Sequence, residues 1–260
     1  MKYANWNVPE RGAEIPRALL AAGCTPLLAA ILHLRGLSDP AAARSFLRGG
    51  AETLTNPLEL TGMVDAVQRL TRAVATGEHV AVYGDYDVDG ITAACLLTDY
   101  LRFRGLTCEL KIPDRIRDGY GLNTAAIDAL AEKGVTLIVT VDCGVTNLEE
   151  TAYAAQRGVD MIVTDHHECR EALPEAEAVV DPKQPDSSGV GTALAGVGVA
   201  FKLVCAMDGD ADKMLARYGD LVAVGTVADV MPLLGENRFI TRCGLQKIAA
   251  GDCRPGFLAL

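Results

Sequence analysis

The sequence lacks an excess of positive charge: 24 lysines and arginines stand against 34 aspartates and glutamates, for a formal net charge of −10. A chain with this balance is not expected to adhere broadly to nucleic acid or to an anionic membrane. It has no apolar run near the ~18 residues of a membrane span, and its N-terminus has no signal-peptide pattern. These absences exclude a membrane protein but allow a local basic groove or an acidic metal site.

Paired cysteines are also missing. The chain has eight cysteines, none of them in a C-x-x-C pair, and most lie in apolar surroundings. Disulfide frameworks and structural zinc sites need paired cysteines. We therefore predict reduced thiols in the core of a cytoplasmic protein.

Aromatic residues make up only 5% of the chain, whereas half of its residues are hydrophobic. Short apolar runs alternate with helical patterns from residue 79 onward, which predicts an α/β fold with a mainly parallel sheet flanked by helices. The predicted strands are His79–Tyr83, Thr107–Ile112, Leu137–Val141, Met161–Val163 and Ala178–Val180. The predicted helices are Ile91–Arg104, Thr124–Lys133, Leu148–Arg157, a helix from Gly196 to Met207, and a helix or buried segment at Leu221–Val230.

Three segments are predicted along the chain. Residues 1–76 have helical patterns and no strand pattern, so we expect an N-terminal helical extension packed on the main domain. Residues 77–232 are expected to form the α/β domain. Residues 233–260 would begin a connecting helical segment, and the apolar final stretch suggests a chain cut from a longer protein.

The stretch 80–97 carries the strongest functional signal. A short apolar run breaks at Gly84, and an apolar helical pattern begins after Gly90. Between them, three aspartates stand at alternate positions: Asp85, Asp87 and Asp89. Carboxylates this close repel one another, and a compensating Mg²⁺ or Mn²⁺ would suit them. A solvated acidic loop is the alternative; a calcium loop is disfavoured because no acid stands at Leu96.

Polar residues also follow the other predicted strands. The second strand leads into residues 113–121, the third into Asp142, and the fourth into the sequence Asp-His-His-Glu at 165–168. Because ligands bind beyond the carboxyl ends of parallel strands, we predict that these residues form one site.

Carboxylates together with imidazoles predict a two-metal site, in which ions about 3.5–4 Å apart promote displacement at phosphorus. Asp142 is the expected bridging ligand of two Mn²⁺ or Mg²⁺ ions, and His166 an expected metal ligand. The side chain of His167 should diverge from that of His166 if the backbone is extended, and it would bind phosphate or protonate the leaving group. A structural or surface histidine pair is the alternative.

Several further residues are candidates for phosphate binding. Arg115, Arg117 and Lys183 could contact phosphate oxygens, although surface salt bridges are the alternative. Gly196 and Gly198 are typical of a phosphate-binding turn at a helix start, but G-x-G also permits close packing.

Three motifs resemble those of the DHH phosphoesterase superfamily: Tyr83–Gly90, Val141–Gly144 and Thr164–Glu168. More narrowly, the chain resembles the RecJ family of bacterial single-strand-specific exonucleases. Supporting stretches are Arg35–Pro40, Asp118–Leu122, Leu194–Lys202 and Gly225–Pro232.

The resemblance implies a Mn²⁺- or Mg²⁺-dependent enzyme that degrades single-stranded DNA from its 5′ end to mononucleotides, in repair and recombination. It implies that the metal ligands are Asp87, Asp89, Asp142, His166 and Asp229, with Asp85 as an additional site acid and His167 at the scissile phosphate. By itself Asp229 is more typical of a helix cap. Implied partners are single-stranded DNA, single-strand-binding protein and a RecQ-type helicase.

Some features depart from the family pattern. Tyr83 stands where many superfamily members have a histidine, the loop at 186–191 lacks the expected cysteine and tyrosine, and RecJ proteins are roughly twice as long. The alternatives are a relative that hydrolyses short oligoribonucleotides, phosphorylated nucleotides or pyrophosphate through the same site, and a non-catalytic DHH scaffold for replication or recombination proteins.

Overall fold

The computed structural model describes residues 15–116 and 121–259. Its strands are β1 (His79–Gly84), β2 (Thr107–Lys111), β3 (Leu137–Val141), β4 (Asp160–Thr164) and β5 (Ala178–Val180). Its α-helices are α1 (Arg17–Ala21), α2 (Pro26–Leu34), α3 (Pro40–Arg48), α4 (Met63–Thr76), α5 (Val88–Phe103), α6 (Thr124–Glu132), α7 (Leu148–Gln156), α8 (Gly196–Asp208), α9 (Ala211–Ala228), α10 (Gly235–Ala249) and α11 (Pro255–Ala259). Short 3-10 turns occur at Ala51–Thr53 and Pro57–Glu59.

The five strands form one parallel sheet in the order β2-β1-β3-β4-β5. The register places four strand-end residues in one row: Gly84, Val141, Thr164 and Val180. Each is followed directly by an aspartate: Asp85, Asp142, Asp165 and Asp181. The predicted α/β class is confirmed, and four acids leave the sheet at the same edge.

The side chains of each strand lie alternately in two apolar layers, one on each face of the sheet, because successive strand residues point to opposite faces. Val80 and Val82 belong to the layer that contains α4, α5, α8 and α9. Ala81 and Tyr83 belong to the layer that contains α6 and α7. A sheet covered on both faces has near-continuous apolar strands, as seen here.

Helix starts follow local sequence signals. Pro40 follows Asp39, whose side chain accepts a hydrogen bond from Ala42 N at 2.8 Å. Asp210 caps α9 in the same way through Lys213 N. The prediction that this helix begins near Leu221 was wrong by ten residues, because an apolar segment hides where a helical pattern starts.

The chain divides into two compact units between Glu52 and Thr53. The first contains α1 to α3 around a small core of its own: Leu19, Ala29, Leu32 and Ala43. The second contains the sheet. It also contains α4, which packs on β5 and α8, and α10, which packs on α9. The division therefore differs from the predicted limit at residue 76. Among the described helices, none is long and apolar enough to cross a membrane.

Candidate metal centre

The loop between β1 and α5 turns sharply at the end of the sheet. Asp87 is the N-cap of α5, and its Oδ1 accepts a hydrogen bond from Gly90 N at 2.9 Å. Gly90 packs against the loop, since a Cβ there would lie 2.6 Å from Asp85 N. The lack of a side chain at Gly90 thus lets the loop hold Asp85 beside Asp87.

Asp89 lies in the first turn of α5 and is 1% exposed. Its two oxygens accept hydrogen bonds from Gly196 N at 2.6 Å and Val197 N at 2.8 Å, at the start of α8. A helix N-terminus favours negative charge. The turn predicted to hold a phosphate therefore holds a carboxylate of the chain itself.

The two glycines of this turn have packing positions. A Cβ on Gly196 would lie 2.5 Å from Asp142 Cβ, and one on Gly198 would lie 3.1 Å from the side chain of Leu194. Close approach explains both glycines, which was the alternative to phosphate binding. The phosphate role of Gly196 and Gly198 stays a prediction, and the Gly196 amide already donates to Asp89.

Asp142 follows β3 directly and adopts a left-handed backbone conformation with φ 61°. Its amide donates to Thr164 O at 3.0 Å, which ties it to the end of β4. Aspartate tolerates this region better than most residues, and such conformations gather at functional sites. The carboxylate is thereby turned toward His166.

His166 lies at the centre of a carboxylate cluster. Its Nε2 is 3.0 Å from Asp142 Oδ1, 3.7 Å from Asp89 Oδ2 and 3.7 Å from Asp229 Oδ2. Asp229 is the C-cap of α9, so the helix end brings this distant residue to the sheet edge. Asp229 thus both ends a helix and faces the site.

Asp165 is a site residue that the sequence interpretation left without a role. It is 1% exposed, and its Oδ1 accepts hydrogen bonds from His166 N at 2.8 Å and His167 N at 3.3 Å. The same oxygen is 2.7 Å from His167 Nδ1, and its other oxygen accepts from Val145 N. The signal that marked Asp142, an acid directly after a buried strand, also marks Asp165.

The two histidine side chains lie close together; divergence was predicted only for an extended backbone. Their ring centroids are 4.6 Å apart. The strand ends at Thr164 and the chain bends at His167, where the Asp165 carboxylate accepts hydrogen bonds from the next two backbone amides. Both imidazoles therefore face the same site.

Three overlapping groups of side chains have the spacing of metal ligands: Asp142, His166 and His167; Asp89, His166 and Asp229; Asp85, Asp87 and Asp142. Within each group the ligand atoms lie within 4.8 Å of one another. Among the described residues, buried Asp85 Oδ1 and His166 Nδ1 have no hydrogen-bond partner, and the contact of Asp142 Oδ1 with His166 lacks hydrogen-bond geometry. Oxygen-rich groups with imidazole fit Mn²⁺ or Mg²⁺.

The carboxylates of this cluster are buried and oppose one another's ionisation. Burial, and then the neighbouring Asp87 carboxylate, raise the pKa of Asp142 to about 9. Burial, and then Asp142, raise the pKa of Asp89 to about 8. Burial also raises the pKa of Asp85. Crowded carboxylates that resist ionisation are what a divalent cation would stabilise.

We expect the metal-free protein to lose stability as pH rises from about 5 to about 9. Unfolded aspartates release their protons near the ordinary pKa of 3.8, whereas folded Asp89 and Asp142 retain theirs up to about 8 and about 9. Their contribution is thus complete below the unfolded pKa and is lost through the folded pKa. Thermal unfolding in chelator across this range measures it.

Asp142→Asn is the matched variant for this measurement. It removes one of the carboxyls whose pKa is raised in the folded protein, so the melting temperature in chelator should change less steeply with pH. In the wild type, added Mn²⁺ should make stability rise with pH instead of fall, because the ion binds the ionised carboxylates. A metal-free protein that gains stability steadily over this range would contradict the expectation.

The predicted phosphate-binding cations lie at the rim or outside the described residues. The Arg115 guanidinium lies 5.1 Å from the centre of the Tyr86 ring. Tyr86 stands between Asp85 and Asp87 in the sequence. Lys183 Nζ is 3.1 Å from Glu168 Oε1; the Lys183 side chain is half-buried and that of Glu168 is exposed. Arg117 lies outside the described residues.

Val230, directly after Asp229, is 85% exposed and has φ 58°. A β-branched residue in this region is strained by roughly 1–3 kcal/mol. We expect Val230→Gly to raise the free energy of unfolding by about 1 kcal/mol, after the entropic cost of roughly 0.5–1 kcal/mol for glycine. Denaturant unfolding measures this.

Val227→Gly is the matched control, because Val227 is also partly exposed but lies within α9. It should lower the stability by about 1 kcal/mol. Equal losses in both variants would show that Val230 is not strained.

Comparison with known proteins places this geometry in a family. Residues 79–226 match the model described as DHH family, N-terminal domain. The single-stranded-DNA-specific exonuclease RecJ of Bacillus subtilis is 41% identical over 225 residues, which are 86% of this chain and 28% of that protein. The chain thus spans less than a third of that relative's length.

Two solved structures of RecJ from Thermus thermophilus have a similar fold. The complex with Mn²⁺ has a TM-score of 0.72 and 32% identity, covering 90% of this chain and 33% of that one. The complex with Mg²⁺ has a TM-score of 0.60 and 30% identity, covering 90% and 29%. The family model covers more than half of the chain and includes the sheet and all four of its acidic strand ends, so this chain belongs to the DHH family and is similar in sequence and fold to RecJ exonucleases.

Proposed function

We propose that the chain is the catalytic part of a Mn²⁺- or Mg²⁺-dependent exonuclease that degrades single-stranded DNA. The observation that carries this proposal is that aspartates and histidines from three strand ends and one helix end form three overlapping groups, inside each of which the ligand atoms lie within 4.8 Å of one another. The names of the similar proteins supply the substrate: they are single-stranded-DNA-specific exonucleases. The direction from 5′ to 3′ and the 5′-mononucleotide product come from the resemblance.

The proposed metal ligands are Asp87, Asp89, Asp142, His166 and Asp229, all drawn from the three groups, and Asp85 completes the group that contains Asp87 and Asp142. When bound, paired divalent ions supply positive charge that activates water and stabilises the oxygens at phosphorus. Asp142 and His166 each belong to two groups, so each lies where two ligand groups overlap. Cys143, next in the chain, is buried with its Sγ toward Tyr83 O, away from this ligand set.

His167 would act on the phosphate. Its hydrogen bond with Asp165 raises the pKa of His167 to about 9, in spite of burial. Burial is the largest single effect and acts against ionisation of Asp165, but the hydrogen bond and charge of His167 and the backbone amides of Val145 and His166 together outweigh it and lower the pKa of Asp165. The imidazole is therefore protonated at neutral pH, with Nδ1 toward Asp165 and Nε2 positioned to donate a hydrogen bond to a phosphate oxygen or a proton to the leaving oxygen.

Arg115 would contact a second phosphate oxygen at the rim. A guanidinium stacked on a ring keeps its donors in one plane and loses less freedom when it binds. Lys183 would add charge next to the fourth strand end, where it pairs with Glu168. Through the resemblance, the proposal includes a cytoplasmic role in repair and recombination, with single-strand-binding protein and a RecQ-type helicase as partners.

The test is digestion of a single-stranded oligonucleotide labelled at one end or the other, in Mn²⁺ and in chelator. Release of mononucleotide from the 5′ end, in Mn²⁺ only, is the expected result. The matched duplex and an RNA strand of the same sequence serve as controls. Release from the 3′ end would contradict the direction, and preferential hydrolysis of the RNA would contradict the substrate.

A further inference from the structure

Asn237 lies in the first turn of α10 and is 3% exposed. Its side-chain Nδ2 donates hydrogen bonds to Ala193 O at 2.5 Å and to Pro232 O at 3.2 Å. Both partners are backbone carbonyls, which only accept. The chemistry of the partners therefore fixes the orientation of this carboxamide.

The two carbonyls belong to the two loops that build one side of the metal centre. Ala193 lies three residues before Gly196, whose amide holds Asp89. Pro232 lies three residues after Asp229. One side chain thus links the start of α8 to the loop that follows Asp229.

The first turn of α10 is itself fixed on the rest of the unit. Glu236 accepts hydrogen bonds from Thr55 N and Thr55 Oγ1. It also forms an ion pair at 2.6 Å with Lys202 on α8, whose side chain is 2% exposed. Breaking a buried ion pair is costly, so the turn that carries Asn237 is a rigid support.

We propose that Asn237 is a positioning residue, which sets the distance between Asp229 and the Asp89 carboxylate held by α8. The inference rests on the proposed metal centre, because its consequence is metal affinity. Asn237 acts through the two loops and donates to their carbonyls rather than to either carboxylate. Outer groups that orient metal ligands typically change affinity by about 10–100-fold when they are removed.

The experiment compares Asn237→Ala with Asp210→Ala in the full chain. Asp210 caps the opposite end of α9, so its loss lowers stability without touching the loop at Asp229. Titration calorimetry measures Mn²⁺ affinity. Hydrogen exchange in chelator measures the Gly196 and Val197 amides that donate to Asp89.

We expect Asn237→Ala to bind Mn²⁺ at least about tenfold more weakly and to exchange both amides faster, while Asp210→Ala matches the wild type in both. Equal behaviour of the two variants would overturn the inference. A wild type that does not bind Mn²⁺ would instead contradict the proposed function, and the exchange rates would then decide the role of Asn237 alone.

A second measurement covers an Asn237→Ala variant that does not fold. Magnetic resonance of the ¹⁵N-labelled wild type follows the side-chain amide protons of Asn237 as Mg²⁺ is added. We expect their signals to shift and their exchange to slow as Asp229 becomes fixed. Signals that do not respond to Mg²⁺ would overturn the inference.

Discussion

Replacing Asp142 by alanine is expected to lower Mn²⁺-dependent release of mononucleotides by roughly 10³-fold or more, because several kcal/mol of charge stabilisation at phosphorus correspond to about tenfold for each 1.4 kcal/mol. Asp142 is the carboxylate shared by two ligand groups, so its loss affects both at once. Calorimetry should show a matching loss of Mn²⁺ binding. Initial rates on a 5′-labelled strand measure the activity.

The control for this variant removes a carboxylate from a different part of the same unit. Asp128 on α6 accepts a hydrogen bond from Tyr153 and pairs with Arg157 at 2.8 Å. Asp128→Ala should retain wild-type rates and Mn²⁺ affinity. An Asp142→Ala protein that is folded, binds Mn²⁺ normally and cleaves at more than a tenth of the wild-type rate (about 1.4 kcal/mol) would refute the central place of Asp142.

Replacing His167 by glutamine is expected to lower kcat by about 10²–10⁴-fold, the range for a lost general acid. Mn²⁺ affinity should fall much less than in Asp142→Ala, since the proposed role of His167 is at the phosphate. His33→Gln on α2, in the first unit, is the control. Loss of Mn²⁺ binding equal to that of Asp142→Ala would identify His167 as a metal ligand instead. Its spacing would permit that role, because it forms one ligand group with Asp142 and His166.

The pH dependence of activity tests whether the charge of His167, which Asp165 stabilises, is needed for the reaction. The hydrogen bond with Asp165 is the main cause that raises the pKa of His167. The imidazolium exists below that pKa and is lost above it, so activity should fall at the alkaline end. In Asp165→Asn the fall should move to lower pH, toward the ordinary value of about 6.5. An unmoved alkaline limb would exclude His167 as the group responsible.

The positions of the strand ends were predictable from sequence because they depend on local pattern. Apolar runs of β type, each followed by an acid, indicated β1, β3 and β4 and the edge at which Asp85, Asp142 and His166 lie. A parallel sheet aligns the carboxyl ends of its strands whatever the loops do. The cap signals of α3 and α5 likewise lie within a few residues of the helices that they start.

Contacts between distant parts of the chain were not predictable in this way. The amides of Gly196 and Val197 donate to Asp89 from more than 100 residues away. The periodicity of a helix or strand carries no information about a pairing at that separation. Asp229 by itself was typical of a cap, and it is one; packing of α9 against α5 and α8 makes it a site residue as well. The turn at Gly196 met the pattern of an anion site, but only the fold revealed that the anion is Asp89.

The sequence by itself determined the α/β class, the parallel sheet and the acidic edge, because strand period, helix period and capping act over a few residues. The tertiary structure decided which acids share a histidine, that the two imidazoles face the same site, and that Asn237 links two loops. These depend on how α8, α9 and α10 pack on the sheet and on one another. Packing joins residues that no local rule connects, and it is there that the metal centre acquires its geometry.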